Sequence, residues 1–579
     1  MAKEPRPRSV DPIALEIIRH SLLAIPNHID KNIARTAFSP LIYEYKDYAV
    51  GILDADARLI SQGKGSLPIF VANALGVAVA DGIEIYGKEN ILPGDVIITN
   101  HAGTLGQHLN NVVMYTPIHI GPNLELFGFM AVLAHWIDIG GGVVGSFLRT
   151  DSSDIYQEGI QFRTVKLQSR GKPVQDIYRI INTNTRFPTM LWGDIGAQMA
   201  GCLMGRDMVV EVTNRYGADV VRSAIDTMWL QSERATRAAI NEIPDGEYTA
   251  SAFLDDDGVN RGSRIPVDVI VCIKGDEINI DLSGLGPQAA GPINAGFNGG
   301  ALAACRIACK YLFTPGETGN YGSFRPLTVT IPEGTFLSAR ADAPMGWSGS
   351  TLPTVVDTII KALAPVARKR VVAAHHGTYG NYVFHGRHPE TQEIFQHIDS
   401  SAGGWGAGDD HDGSGPCRSN VHGDIQDVPA EMQEAIYPLR IESVCLRQDS
   451  AGAGRHRGGF GLERVYLVLS DCTLTVSFDR TECPPWGLEG GQPGQTGYVE
   501  LLRHCANAPE KILKGMEQVK NGDRVRIVTG GGGGFGRPCD RDLESVRCDL
   551  ENDLISAESA LKDYGFSKLA SIDRTNEKQ

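Results

Sequence analysis

The sequence predicts an α+β fold in which packed helices and mixed sheets build a large chain of several lobes. Its 579 residues exceed the size at which one hydrophobic core stops growing, so at least two lobes are expected. Helical and strand-like segments are interspersed up to residue 368, whereas strands dominate from 436 to 530. The 67 glycines cluster between strand-like runs, which is typical of tight turns and of close backbone approach.

The N-terminal part begins with a clear helix signal. Asp11 is a good N-cap, Pro12 suits the first helical turn, and apolar residues follow at helical spacing up to Pro26. Next comes a strand-like run at 48–53. The apolar and alanine-rich segment 67–85 then predicts a buried helix.

Helical and strand-like patterns also occur over the rest of the chain. The almost continuous apolar run 127–134 predicts a strand that is buried on both faces. The other predicted strands lie at 95–99, 112–120, within 246–285 and within 436–530, and the other helices at 205–241, 297–313, 353–368 and 540–566. We divide the chain into a disordered arm (1–10), an N-terminal metal-site lobe (11–245), a strand-rich C-terminal lobe (246–539) and a charged helical tail (540–579).

Composition excludes several classes of protein. A net charge of −15 argues against a nucleic-acid partner. No uninterrupted apolar run approaches the ~18 residues of a membrane span, and the N-terminus lacks the apolar core of a signal peptide. The 11 cysteines are scattered and odd in number, which argues against a disulfide framework. We therefore expect a cytoplasmic protein without a membrane partner.

The strongest group of candidate metal-binding side chains lies between residues 44 and 138. His101 follows one predicted strand, His108 lies in a Gly-rich loop, and His135 and Asp138 follow a later strand. Loops on a rigid scaffold often carry sites, and imidazole with carboxylate suits Zn²⁺ or Mn²⁺. The pattern favours a divalent metal site, although each histidine taken alone is more typical of a surface or core residue.

Several blocks of sequence resemble the hydantoinase B/oxoprolinase family. The stretch 108–146 resembles the family signature, and Glu44 to Tyr48 resembles the family's Glu-x-x-Asp before an Asp-Ala-Asp turn. The most specific block is Gln448 to Gly461, which is too long and idiosyncratic to arise by chance. Further blocks lie at 155–159, 281–284, 292–294, 530–536 and 563–565. The resemblance spans roughly residues 11 to 566.

The resemblance implies a partner and a cofactor. B-type subunits of this family pair with an A-type subunit, or are fused to it, and the A-type subunit carries the ATP site. We therefore expect ATP and Mg²⁺ on a partner, a divalent metal on this chain (zinc, with manganese as an alternative), and an (αβ)2 hetero-oligomer. The Gly-rich loops 403–415 and 529–536 are expected to bury against that partner.

The resemblance also maps candidate metal ligands onto this chain. They are Asp47, His108, His135 and the position of Asn111. The family has Asp at 111, so one charged ligand is lost here. At position 101 the family has Asp and this chain has His101, which could restore a ligand. At position 136 the family has a second histidine and this chain has Trp136. Acetone carboxylases also lack that histidine, which keeps a carboxylase function open.

The reaction implied by the resemblance is the ATP-dependent opening of a cyclic amide of the hydantoin, lactam or 5-oxoproline type. The partner would phosphorylate the amide oxygen, the metal would lower the pKa of a water molecule, and Asp138 would act as general base. Two alternatives stay open. One is a subunit of an ATP-dependent ketone carboxylase, and the other is a catalytically silent assembly subunit.

Other motifs are weaker. Residues 530–536 match Gly-x-Gly-x-x-Gly, but Arg537-Pro538 does not open the helix that a dinucleotide site requires. No phosphate loop of the Gly-x4-Gly-Lys-Ser/Thr type is present, so we do not expect this chain to bind ATP alone. The pair His375-His376 and the run 409–412 are read as polar loops rather than as ligands.

Overall fold

The computed structural model describes residues 11–423 and 425–566, and helices and strands are interspersed throughout this part of the chain. The predicted disordered arm lies outside the described residues. The helices are α1 (Pro12–Thr36), α2 (Pro40–Tyr43), α3 (Pro68–Val71), α4 (Ala74–Tyr86), α5 (Ala102–Leu105), α6 (Gln175–Asn184), α7 (Pro188–Tyr216), α8 (Ala218–Ile240), α9 (Ala301–Phe313), α10 (Leu352–Ala362), α11 (Ala430–Ile436), α12 (Leu543–Glu551) and α13 (Ala557–Tyr564).

The strands form one seven-stranded sheet, two four-stranded sheets and one five-stranded sheet. They are β1 (Tyr48–Asp54), β2 (Leu59–Gln62), β3 (Val96–Thr99), β4 (Asn111–Ile120), β5 (Glu125–His135), β6 (Val165–Ser169), β7 (Lys172–Pro173), β8 (Gly246–Leu254), β9 (Ile265–Lys274), β10 (Glu277–Leu285), β11 (Leu327–Thr330), β12 (Asn381–Arg387), β13 (Ile394–Ser400), β14 (Leu439–Leu446), β15 (Leu462–Val468), β16 (Cys472–Ser477), β17 (Tyr498–Leu502), β18 (Glu510–Ile512), β19 (Lys514–Val519) and β20 (Arg524–Val528).

The described chain divides into two compact units that do not follow the sequence in two blocks. Unit 1 comprises residues up to Glu247, 271–348 and 421–428; unit 2 comprises 248–270, 349–420 and the residues from 429 onward. The end of the first segment at Glu247 is close to the break expected near 245. Residues 271–348, however, were assigned to the C-terminal lobe and belong to unit 1.

The seven-stranded sheet of unit 1 is antiparallel, in the order β2-β1-β5-β4-β3-β6-β7. On one face α4 packs closely, with Leu75 against Gly51. On the other face α7 packs, with its Gly205 against Met130. Helices thus cover both faces, which explains why β4 and the central part of β5 are buried throughout, as the apolar run 127–134 predicts.

Helix α1 begins as predicted but does not end at Pro26. The carboxylate of Asp11 accepts a hydrogen bond from the amide of Ala14 at 2.9 Å, which caps the helix. Proline cannot donate to the carbonyl of Leu22 four residues earlier. The hydroxyl of Ser61 donates to that carbonyl instead, at 2.8 Å, and the helix continues to Thr36.

The single long helix predicted at 205–241 is two helices. Gly217 separates α7 from α8 and has a φ of +85°, a backbone conformation that favours glycine. The helix also starts earlier than predicted, at Pro188. The predicted tail helix is likewise two short helices, α12 and α13.

Unit 2 contains two sheets that share one core. Strands β13-β12-β16-β19 form one sheet and β14-β15-β20-β17-β18 the other. Aromatic and aliphatic residues of both sheets, among them Tyr382, Phe384, Leu474, Tyr466 and Val525, form one buried cluster. The remaining sheet has the strand order β11-β10-β9-β8.

Four Gly-rich segments of unit 2 pack against one another through their backbones. We call these segments, which are 403–415, 452–461, 487–494 and 529–536, the glycine layers. The amide of Gly404 donates to Gly530 at 3.0 Å, that of Gly532 to Gly459 at 2.9 Å, and that of Gly452 to Gly532 at 2.8 Å. The segment 529–536 is buried within unit 2. The expectation that it buries against a partner is therefore corrected, because its polar groups are satisfied by the chain itself.

Residues 68–86 are long and apolar enough, by length and composition, to cross a membrane. Uninterrupted apolar runs in the sequence do not predict such a membrane-spanning segment. In the structure it is split into α3 and α4, and 56% of its most apolar window is buried inside the protein, as in the core helix of a soluble protein.

Candidate metal centre

Three candidate ligands form a row across three neighbouring strands of unit 1. His135 at the end of β5 pairs with Asn111 at the start of β4. Asp47 lies just before β1, and its carbonyl accepts the amide of His135 at 3.1 Å. Cross-strand partners share a face of the sheet, with Cβ atoms about 5 Å apart. The sheet thus brings a carboxylate, an imidazole and an amide together on its α4 face.

His108 joins this row from the loop before β4. Its ring lies 5.1 Å from that of His135 and stacks on Phe147 at 4.4 Å. Phe147 also meets the edge of His135 at 5.4 Å, and Trp347 packs on Phe147 at 5.4 Å. The aromatic side chains form an apolar wall beside the two imidazoles.

Each of the four candidates has a buried polar atom without a hydrogen-bond partner. These atoms are Asp47 Oδ1, His108 Nδ1, Asn111 Oδ1 and His135 Nδ1. A buried polar atom without a partner costs about 1–3 kcal/mol, so folded proteins rarely leave several side by side. All four atoms have a lone pair that can bind a cation.

The charge states also suit a cation. Burial lowers the pKa of His135 to about 3, and burial, followed by the neighbouring His135, holds the pKa of His108 well below its usual range. Both imidazoles are therefore neutral at physiological pH, the form that binds metals. Burial also raises the pKa of Asp47 to about 7, and a cation beside it would favour the carboxylate.

These side chains are neighbours rather than a closed coordination shell. Within residues 11–423 and 425–566, no three His, Cys, Asp or Glu side chains stand together in a ready-made metal-binding group. Closing around a cation would require rotation of the candidate side chains about their torsions. Their chemistry (two neutral imidazoles, a carboxylate and an amide oxygen) nevertheless fits a divalent cation such as zinc.

Comparison with known proteins identifies the family. The family described as hydantoinase B/oxoprolinase matches residues 11–538. The chain belongs to this family. Its relatives in the family include proteins of similar length. It is 30% identical, over 98% of both chains, to the B-type subunit of the putative D-/L-hydantoinase of Pseudomonas sp. (strain NS671), and 28% identical, over 96% of both chains, to the beta subunit of the caprolactamase of Pseudomonas jessenii.

Solved structures of similar chains confirm the α+β fold. The crystal structure of the ATP-dependent caprolactamase from Pseudomonas jessenii has a TM-score of 0.90 and covers 98% of each chain at 28% identity. A nucleotide-free acetone carboxylase has a TM-score of 0.86 at 20% identity, and covers 96% of this chain and 79% of its own. At that identity the second likeness concerns the fold alone.

The departure from the hydantoinase B pattern at 136 lies outside the candidate centre. Successive strand residues point to opposite faces, so Trp136 points away from His135. Its indole Nε1 donates to Gln198 of α7 at 3.0 Å, and the side chain is fully buried. Tryptophan here therefore removes no ligand from the row, and strand alternation alone could have indicated this.

Asn111, the departure from the family's aspartate, is held in one orientation. Its Nδ2 donates to Oε1 of Gln107 at 2.9 Å, which leaves Oδ1 free. Gln107 in turn donates to the carbonyl of Ile69 at 3.4 Å. Gln107 is therefore a positioning residue that the sequence alone did not reveal, because nothing in its spacing marks it.

His101 has a different environment. Its Nδ1 lies 3.0 Å from Oγ1 of Thr104. Burial lowers its pKa, and the charges that act on it are those of Arg163 and Asp81. None of its contacts in the described chain is with the four candidates above, so the structure does not bring His101 into the row.

Asp138 lies in a network of hydrogen bonds, and its role as a general base stays a prediction. Its carboxylate accepts from Nη1 of Arg186 at 2.7 Å and from the backbone amide of Arg186 at 3.0 Å. The amides of Gly140 and Gly145 donate to it at 3.2 and 3.0 Å. These hydrogen bonds hold the Gly-rich loop in place.

Glu158 is the acid that sequence reasoning missed. It is 1% exposed, and burial raises its pKa to about 8. Its Oε1 accepts from the amides of Met345 and Gly346, both at 2.9 Å, whereas Oε2 is buried without a partner. Gly346 lies against the carbonyl of Phe147, which links Glu158 to the aromatic wall of the centre. Its acidity depends on contacts about 190 residues away in sequence, so no local signal could reveal it.

The weaker motifs of unit 2 are held by internal contacts. His375 and His376 are both buried rather than in a polar surface loop, and Nδ1 of His375 lies 2.8 Å from Asp357. Asp412 accepts two hydrogen bonds from Arg541, at 2.7 and 2.8 Å. These contacts favour structural roles for both motifs.

Proposed function

We propose that this chain is the metal-carrying subunit of an ATP-dependent amidohydrolase that opens a cyclic amide, with ATP used by an A-type partner subunit. The observation that carries the proposal is the row of Asp47, His135 and Asn111 with His108 beside it, in which each side chain has a buried, unpartnered lone-pair atom. The names of the relatives, a B-type hydantoinase chain and a caprolactamase beta chain, support a cyclic amide as substrate.

Asp47, His108 and His135 would hold the cation, and Asn111 would add an amide oxygen. When bound, a divalent cation supplies a Lewis acid that makes water a better nucleophile near neutral pH. Zinc suits this donor set, and manganese is the alternative. Asp47 supplies the negative charge, and the two imidazoles stay neutral because they are buried.

The surrounding residues orient the donors and exclude water. Gln107 fixes the amide of Asn111, and Phe147 with Trp347 covers one side of the imidazoles. Glu158 holds a proton up to about pH 8, so it can donate a hydrogen bond or a proton to a developing negative charge or a leaving amine.

Phosphorylation of the amide oxygen would come from outside this centre. An unstrained amide is a poor electrophile, and the four candidates supply a cation site but no phosphoryl donor. Activation by phosphoryl transfer therefore needs a second subunit, and the names of both relatives describe them as single subunits of larger enzymes. We propose an (αβ)2 assembly that acts in the cytoplasm, where the cysteines of the described chain, all of them free, would stay reduced.

A ketone carboxylase is the second candidate. The acetone carboxylase shares the fold at 20% identity, and fold alone does not assign a reaction. Trp136 no longer favours this alternative, because its side chain lies on the α7 face. The third candidate, a silent assembly subunit, does not account for four unpartnered buried donors in one place.

The test is co-expression with the A-type subunit and purification without chelator. We expect near-stoichiometric metal, and phosphate release that depends on a cyclic amide rather than on a ketone with bicarbonate. His135→Ala should lose most of the metal and the amide-dependent turnover, whereas His20→Ala, at an exposed position on α1, should lose neither. A metal content near zero in the unmutated complex would contradict the proposal.

A further inference from the structure

A second cleft in unit 1, of about 290 Å³, lies at the start of α4. Its walls come from the turn between β1 and β2, from α4, from α9 and from residues 320–324. Strand β1 begins beside Asp47 and ends at this turn, so at ~3.3 Å per residue this wall of the cleft is roughly 20 Å from the candidate metal centre. The opposite wall is nearer, because Asn298 adjoins Gly299, which lies against the side chain of Gln107.

The cleft is lined by an arginine that has no counter-charge. Arg306 forms no ion pair with any carboxylate in residues 11–423 and 425–566. The fully buried arginines do: Arg418 and Arg464 pair with Asp399, and Arg480 pairs with Asp357. Burial lowers the pKa of Arg306 only to about 10, so the guanidinium stays charged at physiological pH. Arg306 is half-buried, so its unpaired charge is open to an anion that enters the cleft.

One nitrogen of this guanidinium is free to bind a ligand. Nη1 donates to the carbonyl of Ala72 at 2.6 Å and to Oδ1 of Asn73 at 2.8 Å, which fixes the side chain. Nε is buried without a partner, and Nη2 has no acceptor among the described residues. Nη2 is therefore the donor that a carboxylate oxygen could accept from.

The rest of the cleft suits a carboxylate with an apolar or planar body. The ring of Phe324 lies under the guanidinium at 5.2 Å, and Tyr321 also lines the cleft. Asn73, whose amide donates to Asn298 at 3.0 Å, is the first residue before α4. The first amides of α4 have no acceptor within the helix, and no acidic side chain lies in its first turn.

The negative charge at the rim is already neutralised. Asp56, the carboxylate that lines the cleft, pairs with Arg58 at 3.4 Å and with Lys88. Arg58 also stacks on Trp229 at 4.7 Å, which keeps it on the rim. The uncompensated charge of the cleft is therefore the positive charge of Arg306.

We propose that this cleft binds a small organic carboxylate, which accepts a hydrogen bond from Nη2 of Arg306 while its body packs against Phe324 and Tyr321. The volume is at the small end of ligand pockets, which favours a molecule of one ring or a short chain over a protein segment.

The test uses benzoate with benzamide as its uncharged counterpart of the same shape. In calorimetric titration of the whole chain, benzoate should bind at least tenfold more tightly than benzamide. Arg306→Gln should weaken benzoate binding at least tenfold and Arg306→Lys by a smaller factor, because lysine keeps the positive charge. Arg325→Gln, which removes a nearby arginine that pairs with Glu233, should change the affinity less than twofold.

A second measurement needs no variant. Phenylglyoxal modifies arginine, and mass spectrometry of the wild-type chain should show that benzoate, but not benzamide, protects Arg306. Equal binding of the two probes, unchanged benzoate affinity in folded Arg306→Gln, or absence of protection would each overturn the proposal. Loss of the benzoate effect when the A-type subunit is added would show that a carboxylate of the partner fills the cleft, which also overturns it.

Discussion

Replacing Glu158 by glutamine should change how the stability of the protein depends on pH. In the unfolded chain this carboxyl group titrates near its ordinary pKa of 4.5, whereas in the folded chain burial raises its pKa to about 8. Between these values the folded state binds the extra proton, so the free energy of unfolding falls as pH rises through this window. At 1.36 kcal/mol per pKa unit the loss is on the order of 4 kcal/mol from pH 4.5 to pH 8.

Glu158→Gln keeps the shape of the side chain and cannot ionise, so it should lack this loss. The measurement is the urea midpoint of wild type and variant at several pH values from 4.5 to 8.5, since every other carboxylate titrates in both proteins and cancels. The urea midpoint of the wild type should fall relative to that of Glu158→Gln as pH rises. The midpoint of the control variant Glu333→Gln, at an exposed position, should follow that of the wild type. Parallel curves for wild type and Glu158→Gln would refute the reasoning. In the active complex, the variant should also lose any alkaline decline of turnover near pH 8.

Two further predictions concern the glycine layers and the ligand row. Gly532→Ala should destabilise unit 2 by about 3 kcal/mol or more, because the new Cβ would lie 1.8 Å from the carbonyl oxygen of Trp405 and would break buried backbone hydrogen bonds; thermal unfolding checks this. Gly196→Ala in α7, whose Cβ meets nothing within 4 Å, should be neutral or gain up to ~1 kcal/mol, and equal effects of the two changes would contradict the argument. Asn111→Asp should raise metal affinity at least tenfold in competition with a chelator, and an unchanged affinity would exclude position 111 from the ligand set.

Local sequence patterns predict those helices and strands whose determining residues lie within the element itself. The start of α1 follows from a cap and a proline, and β5 follows from an apolar run, because helices cover both faces of its sheet. The end of α1 could not be predicted in this way. It depends on Ser61, which satisfies the carbonyl that Pro26 leaves without a donor, and that contact joins residues 39 positions apart.

In the candidate site too, some features follow from local sequence and others depend on contacts between distant residues. His108, His135 and Asp47 are indicated by residue type and by the family blocks, but their grouping depends on the pairing of β1, β5 and β4. The position of Asp138, close in sequence to His135, indicates a general base. Its contacts with Arg186, 48 positions later, could not be predicted from that position. Glu158 is the converse case, since its surroundings come from a distant loop.

The asparagine at 111 changes the charge of the centre as well as the number of its carboxylates. A dication held by one carboxylate, one amide and two neutral imidazoles has a net charge of +1, whereas an aspartate at 111 would bring it to zero. Such a positive excess would favour an anionic oxygen as a further ligand and would weaken retention of the cation. Glu158 stays protonated near the centre up to about pH 8, so it would not cancel this excess. With a cation bound, the candidate centre would thus combine a weaker hold on that cation with a stronger preference for a negatively charged ligand.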